Sequence, residues 1–231
     1  MRTCKYLLVA ATLLALGASP ALANQPGTIK FYMGAASIQT DSTSLSFVDP
    51  LEDATVGIEV DNASSMTIGL TYFFNQNWAV DLLAALPFEH DVKAFVSSDE
   101  ESGAAKIGSV KHLPPTLSVQ YYFTTEGDFD PYVGLGMNYT HFYDETLVSD
   151  LVDEGIWDLC LDSSFGAAAQ VGADWAMDDK WLVNFDVRFI DIEADATLEG
   201  PAFVDFGEEV SIGTINIDPW VYSINLGYRF E

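Results

Sequence analysis

Basic residues are scarce. Nine Lys and Arg stand against 35 Asp and Glu, a formal charge of −26, and this excludes a nucleic-acid partner, because phosphate binding needs clustered cations. Cysteine is nearly absent: the chain has only Cys4 and Cys160. Cys4 lies in a segment predicted to be removed, so no intramolecular disulfide framework is expected. Neither G-x-S-x-G nor a phosphate-binding loop occurs, and no motif points to hydrolytic or nucleotide chemistry. Long apolar runs are missing too. The run at residues 6–16 falls short of the roughly 20 residues that a bilayer-spanning helix needs. With Arg2 and Lys5 before it and Ala21-Leu22-Ala23 after it, residues 1–23 read as an export signal, and 24–231 as one mature domain.

What is present is apolar and aromatic, 49% and 13% of the chain, too much for disorder despite the charge. The apolar residues recur with period two over segments of about ten residues. Met66, Ile68, Leu70, Tyr72 and Phe74 share one face against Ser65, Thr67, Gly69 and Thr71. Trp220, Tyr222, Ile224, Leu226, Tyr228 and Phe230 oppose Val221, Ser223, Asn225, Gly227 and Arg229. Similar alternation over 78–88, 116–123, 133–140, 165–175 and 181–189, with 29–35 as the first strand, makes eight strands. The links alternate long and short: 39–63, 89–107, 144–162 and 191–217 are long, whereas Asn75-Gln76-Asn77, 124–130 and 177–180 are short. That is the pattern of an eight-stranded antiparallel transmembrane up-and-down β-barrel in a bacterial outer membrane, with short periplasmic turns and long outer loops. Phe73, Phe74, Trp78, Phe123, Tyr132, Trp175, Trp181, Tyr228 and Phe230 cluster beside the short turns and the C-terminus, where an interfacial girdle is expected.

Much of the acid falls in the long links, for example Glu52, Asp53, Asp99, Glu100, Glu101, Asp153, Glu154, Glu208 and Glu209. A solvated surface is the simplest reading. Divalent cations bridging these loops to anionic lipopolysaccharide are the alternative. Leu147, Val148, Leu151, Val152, Ile156 and Leu159 recur at helical spacing and predict a short helix over the barrel mouth.

Five segments, 82–90 (LLAALPFEH), 112–123 (HLPPTLSVQYYF), 131–142 (PYVGLGMNYTHF), 166–175 (GAAAQVGADW) and 218–230 (DPWVYSINLGYRF), resemble the OmpW family of small outer-membrane proteins. The resemblance implies a narrow, apolar lumen that helps small hydrophobic molecules cross the outer membrane. It also implies a lumen constriction at Leu83 and Phe165. Alternation independently points Leu83 inward, but it points Phe165 outward, and the family usually carries Trp at the latter position.

Inward parity assigns six charged residues to the lumen: Lys30, Asp81, Asp174, Asp186, Arg188 and Arg229. Charges in so narrow a space must be paired, so they are expected to form an ionic plug in the periplasmic half. Catalytic carboxylates are the competing reading, but no nucleophile accompanies them. His90, His112 and His141 fall near the outer ends of neighbouring strands. Alternation sends His90 and His141 outward and His112 inward, so no metal site is expected. Pro87, Pro114 and Pro115 fall at comparable heights on adjacent strands and are read in two ways: as a weak lateral seam, since proline cannot donate a ladder hydrogen bond, or as residues that merely shape a loop base above the hydrocarbon zone. The function expected is a passive channel or pocket for small hydrophobic molecules, with lateral exit toward the membrane and no cofactor. The alternative is a surface interaction protein whose acidic loops bind cations or partners on a barrel stand; a membrane enzyme is the third class.

Overall fold

The computed structural model describes residues 24–40, 44–49, 54–97, 102–153, 155–201 and 209–230. The predicted export signal at 1–23 lies outside them, as do the acidic positions Glu52, Asp53, Asp99, Glu100, Glu101, Glu154 and Glu208.

The strands in chain order are β1 (Ile29–Gln39), β2 (Ser44–Asp49), β3 (Ala54–Val60), β4 (Ala63–Phe73), β5 (Trp78–Ala85), β6 (Phe88–Ser97), β7 (Ser102–Leu113), β8 (Thr116–Tyr122), β9 (Phe129–Leu147), β10 (Asp158–Leu161), β11 (Ser164–Ala176), β12 (Trp181–Ile190), β13 (Glu193–Glu199), β14 (Glu209–Asn216) and β15 (Trp220–Phe230). A one-turn helix, α1 (Ser149–Asp153), precedes β10. Eight strands close on themselves in the order β1, β4, β5, β8, β9, β11, β12, β15. The first and last are hydrogen-bonded, from Ile29 opposite Phe230 to Gln39 opposite Trp220. Every pairing is antiparallel, and closure leaves the wall no free edge.

The wall is inverted relative to a soluble protein. Met66, Leu70, Leu117, Leu135, Met137, Val171 and Ile224 face outward and exposed, whereas Lys30, Thr71, Gln120, Asn138, Asp174 and Arg188 are buried inside. An exposed apolar belt around a polar interior is the arrangement a hydrocarbon layer stabilises. Edge-to-face pairs frame its lower rim: Trp78 with Tyr121 at 5.0 Å, Trp181 with Tyr228 at 5.0 Å and Tyr228 with Phe230 at 4.7 Å. Two residues expected in this girdle belong elsewhere. Phe73 and Tyr132 are fully buried inside with Tyr122 and Ala79, because strand parity, not nearness to a turn, decides which way a side chain points. Phe189 with Trp220, Tyr139 and Phe165 mark the upper rim.

The lower turns are tight for a local reason. Asn75 Oδ1 accepts hydrogen bonds from the backbone N–H groups of Asn77 and Trp78. Asp178 Oδ1 does the same for Lys180 and Trp181, and those two donors hold the Asp178 carboxyl below its usual range. Above the upper rim the structure departs from the loops expected there. β6 and β7 extend the wall outward, β3 and β2 add to β6, and β10, β13 and β14 form a second sheet. In β13 the buried positions are Ala194 and Ala196, alternating with Glu193 and Asp195. Alanine is too small to announce a strand face among acids, so the period-two signal was faint. The helix expected over Leu147–Leu159 shrinks to α1, and its last residues pair as β10, where Leu159 is buried opposite Leu198.

Candidate functional site: the barrel lumen

The lumen has an ionic lower half. Lys30 Nζ lies 2.7 Å from Asp174 Oδ2, both side chains being essentially inaccessible. The same carboxylate accepts from Tyr32 and Tyr122 hydroxyls and from Asn184 Nδ2, and the ammonium sits 4.5 Å from the ring centre of Phe73 and 4.6 Å from that of Tyr122. Arg188 donates to Asp81 at 3.1 Å and to Asp186 at 3.4 Å. Thr71 donates to Asp81 and Tyr132 to Asp186. Arg229 approaches Asp130 at 3.9 Å. All six charged residues expected in the lumen face it, together with Asp130, which sequence reasoning passed over. Three cations thus meet four carboxylates, and each of the seven has at least one opposite partner.

Sequence reasoning also missed the tyrosines that bind the network together. Their signal lay in inward glycines. A Cβ on Gly172 would strike the Tyr132 ring, and one on Gly227 would strike Tyr32 and Leu182, so each glycine opens the slot that a bulky neighbour fills.

Above this network Leu83 sits half-buried on the inward face, beside a cavity of about 20 Å³ also lined by Tyr32, Gly69, Gln120, Arg188 and Asn225. Phe165 does not share this level. It is 67% exposed and lies on the outer face opposite Tyr139, as its parity in β11 requires, so the constriction expected there is corrected: Phe165 faces lipid.

The outer half of the lumen is mainly apolar, with Thr116, Asn138, Thr140 and Ser164 buried at its foot. Ile38, Phe88, Val92, Val110, Phe142 and Ile190 pack together in one buried cluster. His90 and His112 are set in the same wall, 2% and 3% exposed. Phe88 and His90 were expected to point outward; both point inward. The cause is one extra residue at Leu86-Pro87, which resets the alternation of the strand that β5 and β6 share. His112 lies opposite Phe142, three residues beyond the upper-rim Tyr139, so the pair stands above the apolar belt. Burial pushes both imidazoles below their ordinary pKa; His112 reaches about 3, with the charge of His90 as the smaller cause. His141 stays outside, bonded to Ser163 Oγ. The three histidines do not converge, and among the described residues no group of three or more His, Cys, Asp or Glu is placed to hold a metal ion.

The extra residue also interrupts the ladder between two neighbouring wall strands. β5 and β8 pair up to Leu83 opposite Thr116, and the next rung joins β6 to β7 at Phe88 opposite His112. Between these rungs residues 84–87 face 113–115, a stretch that holds Pro87, Pro114 and Pro115. Leu86 N–H is turned the other way, to Met66 O, and Pro115 O accepts from Tyr139 N.

The closed eight-stranded barrel is a fold that known outer-membrane proteins share. The family model described as the OmpW family matches residues 25–230. The chain belongs to the OmpW family. Among its OmpW-family relatives, Outer membrane protein W of Vibrio cholerae is 36% identical over 221 residues, spanning 95% of this chain and 96% of that protein. The protein of the same name from Escherichia coli is 38% identical over 175 residues, 75% of this chain and 76% of that one. The solved structure of the outer membrane protein OprG from Pseudomonas aeruginosa matches with a TM-score of 0.76 at 33% identity, covering 90% of this chain and 97% of that one. This OmpW-family member is an outer-membrane protein, and its apolar belt is its lipid-facing surface.

Proposed function

We propose that the protein is a passive conduit for small hydrophobic molecules, which enter the apolar outer half of the lumen and leave sideways into the bilayer. The observation that carries this reading is the interrupted ladder between Leu83–Thr116 and Phe88–His112. Below it, the Lys30–Asp174 and Arg188–Asp81 pairs close the straight path, since an apolar solute cannot replace the partners of buried charges. Leu83 is the narrowing at the foot of the apolar half, and Pro87, Pro114 and Pro115 form the seam. The cavity beside Leu83 is smaller than any such solute, so passage requires the wall to part, and the unpaired stretch is where parting costs fewest hydrogen bonds.

A disulfide staple tests the reading. Leu86→Cys and Leu113→Cys, in a Cys160→Ser background, lock the seam when oxidised. The expected outcome is loss of naphthalene uptake into liposomes under oxidation and its recovery with reductant. Undiminished uptake through a fully oxidised barrel would remove the lateral exit.

One feature favours a surface role as a second reading. The outer sheets stand clear of the belt, and their lysines are engaged by neighbouring carboxylates, Lys93 by Asp61, Lys106 by Asp91 and Lys111 by Asp144. The remaining acid faces an anionic lipopolysaccharide layer, where divalent cations bridge carboxylate and phosphate oxygens. Exchanging exposed outer carboxylates such as Glu89, Asp158, Glu193 and Glu199 for amides abolishes such a role while leaving apolar uptake in place.

A further inference from the structure

His90 and His112 form a polar spot in the apolar outer lumen. Their rings are nearly parallel, 14° between planes with centroids 4.8 Å apart, and Phe88 stacks on His112 at 5.5 Å. Neither Nε2 has a hydrogen-bond partner, although both atoms are buried. The state of one of them follows from its other nitrogen. His90 Nδ1 lies 2.6 Å from the backbone carbonyl oxygen of Asp61. A carbonyl only accepts, so Nδ1 carries the proton and Nε2 presents a bare lone pair.

A buried acceptor without a donor is costly, and the chemistry that satisfies it here is narrow. The surroundings are mainly Phe88, Val92, Val110 and Phe142, with the Asp61 carboxylate on the His90 side already held by Lys93, and they disfavour an unpaired ion. A carboxylic acid is ionised at neutral pH and brings no proton, and an alkylamine arrives as a cation. A neutral alcohol or phenol meets both conditions, with an O–H to donate and an apolar body to bury. The spot is also well placed, because Phe88 opposite His112 is the first rung above the interrupted ladder.

We propose that His90 Nε2, with His112 stacked beside it, is the hydrogen-bond acceptor for the hydroxyl group of small apolar alcohols and phenols, holding them at the lateral seam. This rests on the conduit reading above, and it adds a selectivity within it, for hydroxylated over plain hydrocarbons of the same shape.

The probes are 1-naphthol and naphthalene, bound to and taken up by the full-length protein in lipid vesicles. His90→Leu removes the acceptor and keeps an apolar side chain; His90→Gln returns an acceptor oxygen. The expected result is a loss of about tenfold in 1-naphthol affinity for His90→Leu, naphthalene unchanged within about twofold, and partial recovery in His90→Gln. A parallel loss for both probes, or for neither, overturns the proposal and leaves His90 a packing residue. Should the wild-type barrel take up neither probe, the conduit reading itself fails. The wild-type protein supplies a measurement independent of variant folding: with imidazole-¹⁵N labelling, the His90 Nε2 resonance is expected to move upfield, as for a hydrogen-bonded acceptor, on addition of 1-naphthol and not of naphthalene. An unmoved resonance with 1-naphthol bound is equally decisive against it.

Discussion

Lys30 and Asp174, 144 positions apart in the chain, meet at 2.7 Å at the bottom of the lumen with both side chains sealed from solvent. Removing either partner strands a buried charge, so Lys30→Met or Asp174→Leu alone is expected to cost about 3–5 kcal/mol. The double variant is expected to cost clearly less than the sum of the two. Urea unfolding in vesicles, followed by the gel shift between folded and boiled protein, measures this. Additive losses would mean that the pair does not act as a unit.

The inward glycines sort by what their slots hold. The nearest atoms to a Cβ on Gly134 all belong to the Gln170 side chain, whereas one on Gly34 meets the backbone of Ile224 and Asn225 as well as Asn225 Oδ1. Gly134→Ala is therefore expected to destabilise in the wild type and to be largely rescued by Gln170→Ala. Gly34→Ala requires β1 and β15 to separate, and no neighbouring side-chain truncation should rescue it. The same unfolding assay separates the two cases.

The eight wall strands and the lumen charges followed from period-two alternation, because each wall strand has one face in lipid and one inside. Parity failed where the backbone slips: the residue inserted at Leu86-Pro87 turned Phe88 and His90 inward, and neither apolarity nor spacing announces a bulge. The outer sheets escaped because strands such as β13 alternate Ala with Asp and Glu and carry little hydrophobic contrast. Phe165 shows the reverse error, since the role implied by family resemblance was contradicted by its own parity.

The stacked histidines make the outer half of the barrel acid-sensitive. Burial lowers both pKa values, His112 to about 3, so the unfolded chain, with imidazoles near 6.5, binds more protons below that value, for His112 over a window from about pH 3 to 6.5. Stability is then full above about pH 6.5 and falls as pH drops through that window, at up to roughly 1.4 kcal/mol per pH unit per histidine. The groups facing the pair are the Asp61 carbonyl and carboxylate on the His90 side and the uncharged rings of Phe88 and Phe142. Because carboxylates elsewhere titrate in the same range, the informative quantity is the difference from His112→Phe, whose profile between pH 6.5 and 4.5 should be the flatter of the two.

Cation bridging of the acidic surface has its own signature. Millimolar Ca²⁺ or Mg²⁺ is expected to raise the unfolding midpoint in lipopolysaccharide-containing vesicles by more than Na⁺ does at equal ionic strength. Equal effects would reduce the phenomenon to screening. In vesicles of zwitterionic phospholipid the divalent advantage should disappear, since the anionic partner is gone.

Leu83 and Phe165 allow the lumen and the lipid face to be distinguished in one experiment. Leu83 lines the inner cavity on β5 and sits on the last paired rung below the seam, opposite Thr116. Phe165 projects from β11 into lipid. Under the conduit reading, Leu83→Trp fills the foot of the apolar lumen and is expected to cut naphthalene uptake by about tenfold or more, whereas Leu83→Ala widens it and raises uptake. Phe165→Ala leaves the lumen untouched, so uptake should stay within about twofold of wild type, and its effect should appear in stability through the lost lipid-facing surface. Overpacking at Leu83 also costs stability, on the order of 1–3 kcal/mol, so uptake must be normalised to folded barrel by the gel shift. If Leu83→Trp folds and transports normally while Phe165→Ala blocks, the solute travels along the outside of β11, and the lumen is only the barrel's core.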